Sequence, residues 1–183
     1  MRTALRVLEL DAWTCTTERL LIRPALPGDA AAIHAVRQTA PFQPQGRSIA
    51  GFRAMVVDMR KVAIGGESGW QQFVMLSKAD GALVGDIGVN FGNPSVEQAE
   101  IGFTLHTDAQ GQGLAAEGIG RMADHLLGEH GLHRLVAFCD IRNRAAHRLL
   151  SRLRFRQEGH HRAAWRVNGD WIDELSFARL AGE

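Results

Sequence analysis

The chain has 183 residues, 45% of them hydrophobic and 22% charged, with a formal net charge of +1. A chain of that length is expected to form one domain that buries about 70% of the surface its unfolded form exposes, and its near-neutral balance excludes a global field that would gather nucleic acid or anionic lipid. Cys15 and Cys139 are too few for a disulfide framework, no Cys-x-x-Cys or His-x-Glu spacing marks a metal site, and no apolar run reaches membrane-spanning length.

The opening stretch Met1 to Asp11 carries charge within its apolar part, unlike a signal peptide, so a cytoplasmic, reducing location is the expectation. Val7 to Leu10 reads as an added edge strand, and Arg19 to Arg23 as a strand stopped by Pro24. Pro27-Gly28-Asp29 makes a turn, with Asp29 as N-cap of a helix through Arg37. Two prolines and a glycine make Pro41 to Gly46 a loop, after which Ser48 caps a helix over Ile49 to Val62. Gly65 to Gly69 is a further loop. Gln72 to Ser77 and Ala82 to Val89 are strands joined at Asp80-Gly81, a strong hairpin signal.

From Glu97 the chain reads E-Q-A-E-I-G-F-T-L-H-T-D-A-Q-G-Q-G-L-A-A-E-G. Ile101, Phe103 and Leu105 alternate with Glu100, Thr104 and His106, which predicts a half-buried strand. A glycine turn over Gln110 to Ala115 then opens a helix whose Ile119, Met122, Ala123, Leu126 and Leu127 recur at helical spacing. Strand, glycine turn and helix N-terminus together suit a pyrophosphate, because close backbone approach and unpaired N–H groups coincide there. Arg134 to Cys139 is the next strand and Arg144 to Leu153 the next helix; strands near Gln157 to Val167 and Trp171 to Leu180 flank a turn at Asn168-Gly169-Asp170. No internal repeat or low-complexity segment is present.

The glycine turn admits three readings. One is a plain surface turn. Another is a dinucleotide fold, since Gly111-x-Gly113-x-x-Ala116 fits a loose fingerprint. That fingerprint opens the first βαβ unit with an acidic residue about 20 residues on, whereas here the turn lies past mid-chain, Asp140 comes too late and Glu129 precedes the next strand. The third is the pantetheine and pyrophosphate site of the GNAT acetyltransferases, because Gln110-x-x-Gly113-x-Ala115 matches that superfamily's Q/R-x-x-G-x-G/A motif.

The longer Gly111-Gln-Gly-Leu-Ala-Ala-Glu-Gly resembles the Rim-type branch of that superfamily, the ribosomal-protein N-terminal acetyltransferases and their relatives. Thr17 to Pro24 resembles the branch's opening strand, Gly85 to Gly88 its third strand, Asp140 to Phe155 its strand-to-helix segment, and Asn168 to Asp173 its closing hairpin. The resemblance covers about residues 16 to 181. It implies an α+β fold: a mixed, mostly antiparallel sheet flanked by helices, with a V-shaped acetyl-CoA cleft between the fourth and fifth strands. Residues 1–15 would be an extension packed on a single domain of residues 16–183.

The implied activity is acetyl transfer from acetyl-CoA to a primary amine, either a protein N-terminus or a small molecule, by direct attack in a ternary complex. The implied cofactor contacts are Phe103, Thr104 and Leu105 along the strand, Gln110, Gly111, Gln112, Gly113, Leu114 and Ala115 in the turn, and Asn143 and Ala146 on the later helix. Glu100 is the expected base, or else a solvated or arginine-paired strand carboxylate, with Glu97 and Asp86 as alternative bases; Asn143 is the second catalytic residue, with helix capping as its alternative. The branch carries Ser where Ala146 stands, and the chain has no tyrosine, the commonest general acid of the superfamily; water, the ammonium product or His147 would then reprotonate the thiolate. These two absences motivate the alternative of a non-catalytic acyl-CoA-binding or regulatory module.

Arg144, Arg148 and Arg152 share one helical face, either solvated or turned to the 3′-phosphate end of coenzyme A or to an acidic partner. For Trp165 and Trp171 core packing is the expectation, with an acceptor pocket or a homodimer contact as alternatives. His160-His161 reads as a polar strand pair, and Asp173 either fills the branch's acidic closing-strand position or forms an ion pair. The expected partner is an amine acceptor, with neither nucleic acid nor membrane involved.

Overall fold

The computed structural model describes residues 13–42, 46–61, 69–92, 97–167 and 169–183. Its strands are β1 (Cys15–Thr16), β2 (Leu20–Pro24), β3 (Trp70–Ser77), β4 (Leu83–Asn90), β5 (Gln98–Leu105), β6 (Arg134–Asp140), β7 (Arg156–Val167) and β8 (Asp170–Leu180). Its α-helices are α1 (Ala30–Thr39), α2 (Ile49–Met59), α3 (Leu114–Asp124) and α4 (Arg144–Arg152). The strands form one sheet in the order β1-β2-β3-β4-β5-β6-β8-β7, antiparallel throughout except for the β5–β6 pair.

Alternation along the strands sorts the side chains into two layers. Phe73, Met75, Ile87, Val89, Ile101, Leu135, Leu175 and Phe177 pack beneath α3 and α4 with Ile119, Met122 and Leu150. On the opposite face Val74 packs with Ile33 of α1 and Phe52 and Val56 of α2. Each fully buried side chain of this size contributes about 1.5–3 kcal/mol. Trp13 closes the first core from one end, its ring edge-on to Phe73 at 4.7 Å.

Local signals work out with small corrections. Ser48 caps α2 by accepting from the Gly51 N–H at 3.1 Å, although the helix ends at Met59, before the expected Val62. Asp80 turns the β3–β4 hairpin, its carboxylate accepting from the Ala82 N–H at 3.1 Å. Asp29 is not the side-chain cap of α1. Pro27 and Gly28 wind a 3₁₀ turn first, so the Asp29 carboxylate accepts from Leu26 N–H and pairs with Arg23 instead. The strand expected at Val7–Leu10 lies outside the described residues, as do residues 43–45 of the first loop and 65–68 of the second.

Candidate active site

β5 and β6 run parallel and pair only through Gln98–Arg134, Ala99–Leu135 and Glu100–Val136. Beyond that point each keeps its outer partner. β5 stays on β4 as far as Leu105–Gly85, and β6 stays on β8 as far as Asp140–Glu174. The inner edges separate, and a V opens in the middle of the sheet with strand edges free to pair with an extended ligand.

The chain leaves the open end of β5 through a 3₁₀ turn, Thr107–Ala109, and enters α3. Gln110 and Gln112 turn inward on the loop itself, their side-chain amides donating to the Leu105 and Asp108 carbonyls at 3.4 and 2.8 Å. Gly111 and Gly113 hold φ of +74° and +80°, the left-handed region that disfavours any residue with a Cβ. This winding turns the N–H groups of Gly111 to Ala116 away from chain acceptors, and none of them has a partner among the described residues. Gly113 is the α3 N-cap and brings no side-chain oxygen to fill that role. A row of open donors at a positive helix end is a cradle for an anion.

The loop is fixed from behind by residues that the sequence pattern did not single out. Arg19 donates from Nε to Glu117 Oε2 at 2.8 Å and from Nη1 to the Gln112 carbonyl at 2.9 Å. Glu117 Oε1 accepts from the Arg19 N–H at 2.8 Å and from the Thr17 hydroxyl. Thr17 and Arg19 stand between β1 and β2, some 98 to 100 positions before Glu117. No local periodicity reveals such a clamp.

A cleft of about 890 Å³ runs from the glycine turn to α4, lined by Phe103, Thr104, Leu105, Gln110, Gly111 and Gly113 to Ala116 on one side and by Arg142 to Ala146, Arg148, Leu149 and Arg152 on the other. Of the expected cofactor contacts only Gln112 is outside this lining; it shapes the loop. Asn143 caps α4, its side-chain oxygen accepting from the Ala146 N–H at 3.1 Å, and it also borders the cleft. Arg144, Arg148 and Arg152 stand together along the rim. His147 falls on another side of the helix, its ring 5.3 Å from that of Phe177 and outside the cleft lining.

Glu100 occupies the last paired position before the V opens, half-buried and without a hydrogen bond or ion pair among the described residues. Burial pushes its carboxyl pKa up, and the nearby Glu174 carboxylate adds to the shift. The two alternatives to Glu100 are placed elsewhere. Asp86 is 1% exposed with its carboxylate held by Arg37 at 3.0 Å through each oxygen and by Gln72 at 3.1 Å. Glu97 lies before the closed end of the V, where its carbonyl accepts from the His133 and Arg134 N–H groups. Cys139 belongs to the buried core, which pushes its thiol up to about 11. Trp165 and Trp171 are 57% and 63% exposed, not core residues, because the long β7–β8 hairpin projects past the helical layers. His160 pairs with Asp173 at 2.6 Å and His161 meets the Ser176 hydroxyl at 2.9 Å, a polar strand pair.

The family model of the acetyltransferase (GNAT) domain matches residues 19–156, from the Arg19 clamp through the V and α4. The chain belongs to the GNAT acetyltransferase family. Among the relatives of this GNAT domain is a ribosomal-protein-serine acetyltransferase of Escherichia coli, 29% identical over 67% of this chain and 70% of that protein. The ribosomal-protein-S5-alanine acetyltransferase of Vibrio fischeri shares the fold with a TM-score of 0.82 at 19% identity, over 93% of this chain and 98% of that one. Mycobacterium smegmatis RimJ, solved in complex with CoA-disulfide, superposes with a TM-score of 0.76 at 24% identity, over 88% of this chain and 82% of that one. The expected GNAT fold, with its mixed and mostly antiparallel sheet, is the observed one, but the V lies between the fifth and sixth strands instead of the fourth and fifth, because the short strand Cys15–Thr16 precedes the expected first one.

Proposed function

We propose that this protein transfers the acetyl group of acetyl-CoA to a primary amine by direct attack within a ternary complex. The observation that carries the reading is the row of unpartnered N–H groups from Gly111 to Ala116 at the mouth of the V. Acetyl-CoA supplies a thioester-activated acetyl group. The turn would hold its diphosphate, the free edge of Phe103 to Leu105 its pantetheine amides, and Arg144, Arg148 and Arg152 its 3′-phosphate end. Asn143 would orient the cofactor from the α4 side while capping that helix.

Glu100 would take the amine's proton, directly or through one water. Its raised pKa moves it toward neutrality, where a base is most effective. The demand is small for an α-amino group, whose deprotonation at neutral pH costs about 1 kcal/mol, and larger for a lysine-like amine, about 4–5 kcal/mol. Ala146 brings a methyl group where a hydroxyl would serve the departing sulfur, so that proton would come from water or from the protonated nitrogen of the tetrahedral intermediate. Cys139 is placed and protonated too unfavourably to act as a covalent carrier.

Thiol release from acetyl-CoA with a panel of amines tests the reading. Turnover with intersecting initial-velocity lines is the expected result, and parallel lines would replace direct attack by a covalent route. Coenzyme A binding without turnover on any amine would favour an acyl-CoA-binding module, a reading that Ala146 and the missing tyrosine support.

A further inference from the structure

The clamp behind the glycine turn joins Thr17 and Arg19 to Glu117, a carboxylate in the first turn of α3. Both Glu117 oxygens are occupied there. Oε1 accepts from the Thr17 hydroxyl and the Arg19 N–H, and Oε2 from Arg19 Nε at 2.8 Å with Nη2 at 2.7 Å. The same guanidinium donates from Nη1 to the Gln112 carbonyl at 2.9 Å, and its Nη2 stands 3.5 Å from where a Cβ on Gly113 would be. Arg19 thus lies against the turn itself. Its side chain is 46% exposed, so truncating it leaves no cavity in the core.

A carboxylate in the first turn of a helix is normally stabilising, because it answers the open N–H groups and the positive helix end. At α3 the same property would make it a competitor. The N–H groups from Gly111 to Ala116 have no partner among the described residues, and an unpaired Glu117 one turn away would either approach them or repel an anion resting on them. Thr17 and Arg19 hold the carboxylate away from that row. The Thr17 hydroxyl brings no charge, so the neutralisation of Glu117 is the work of Arg19.

We infer that Arg19 is a positioning residue for the cofactor: by sequestering the Glu117 carboxylate it keeps the N–H row of the turn open to the diphosphate. The inference rests on the acetyl-transfer reading, since the diphosphate is that of acetyl-CoA. A sequestering residue differs from a plain structural brace in one respect. A brace is lost in full when both partners are removed, whereas a sequestered competitor does no harm once it is gone.

Calorimetric titration of coenzyme A into the full chain, into Arg19→Ala and into the double variant Arg19→Ala/Glu117→Gln separates the two. Arg19→Ala is expected to bind coenzyme A about tenfold more weakly, the effect of one misplaced charge at a partly buried helix end. The double variant should recover most of that loss, while its Tm stays as low as that of Arg19→Ala, since neither keeps the ion pair. Unchanged affinity in Arg19→Ala, or a double variant that binds as weakly as the single one, would overturn the inference and leave the cradle in place. A wild-type chain that does not bind coenzyme A would remove the cradle and the inference together.

Discussion

At the scale of single residues, the proposed reaction asks different things of Glu100 and Gly113. Glu100 is half-buried beside Glu174, so its carboxyl titrates above the ordinary range. As the proposed base it would have to be ionised, so activity is expected to fall as pH drops through that raised pKa. Glu100→Gln is expected to lower kcat by about tenfold to a hundredfold, toward the low end of general-base contributions, and to remove this acid limb from the pH–rate profile. Coenzyme A affinity should be unchanged; an unaltered rate would take Glu100 out of the mechanism. Gly113 acts through its backbone. Its φ of +80° is strained for any side chain, while the space around a Cβ is open apart from Arg19 at 3.5 Å. Gly113→Val should therefore fold and lose coenzyme A binding, because the β-branched residue rewinds the turn and turns the N–H row away. Retained tight binding in a calorimetric titration would separate the turn from the cofactor.

At the scale of elements, the V is shaped by close contacts between strands and by how α3 is seated. A Cβ on Gly85 would stand 2.6 Å from the Thr104 carbonyl oxygen and 2.6 Å from the Met75 methyl. Gly85→Ala must push β4 from β5 at the level of Thr104, where the proposed pantetheine contacts begin. A loss of about 1–3 kcal/mol in stability is expected, read as a lower denaturation midpoint together with weaker coenzyme A binding. The segment that follows α3 is expected to make stability depend on pH. His130 is 4% exposed, both its ring nitrogens lack a hydrogen-bond partner among the described residues, and its ring meets Phe91 edge-on at 5.5 Å. Burial lowers its pKa, and the neighbouring His125 lowers it further. The unfolded chain therefore binds the proton more readily, so stability is full above about pH 6.5 and declines below it, by up to about 1.4 kcal/mol per pH unit until the depressed folded pKa is reached. His130→Phe should flatten the fall of Tm between neutral pH and about pH 5, set by the same linkage; an unchanged slope would place the acid sensitivity elsewhere.

At the scale of the whole molecule, what could be read in the sequence followed from how local each feature is. The glycine turn, the Ser48 cap and the Asp80-Gly81 hairpin declare themselves because residue type and backbone conformation are linked over a few positions. The two-layered sheet was legible too, since period-two alternation survives in β5 and the ordered motifs resemble one family. The clamp of Thr17 and Arg19 on Glu117 was not, because a contact between distant segments leaves no periodic trace. Trp165 and Trp171 misled for a related reason. An indole in a strand normally packs inward, and only the tertiary structure shows that β7 and β8 outrun the helices. Asp29 was read as a helix cap, but a 3₁₀ turn and Arg23 claimed its carboxylate.

The central claim is that open main-chain donors between Gly111 and Ala116 grip the diphosphate of acetyl-CoA. Titration calorimetry of the full chain with coenzyme A and, separately, with pantetheine, which lacks the diphosphate together with the 3′-phosphoadenosine, tests it most directly, with Arg148→Ala as the control that removes a proposed 3′-phosphate contact alone. Saturable binding of coenzyme A with pantetheine at least about a hundredfold weaker, the loss of roughly 2.7 kcal/mol, is the predicted result. No heat with coenzyme A, or equal affinity for pantetheine, would contradict it.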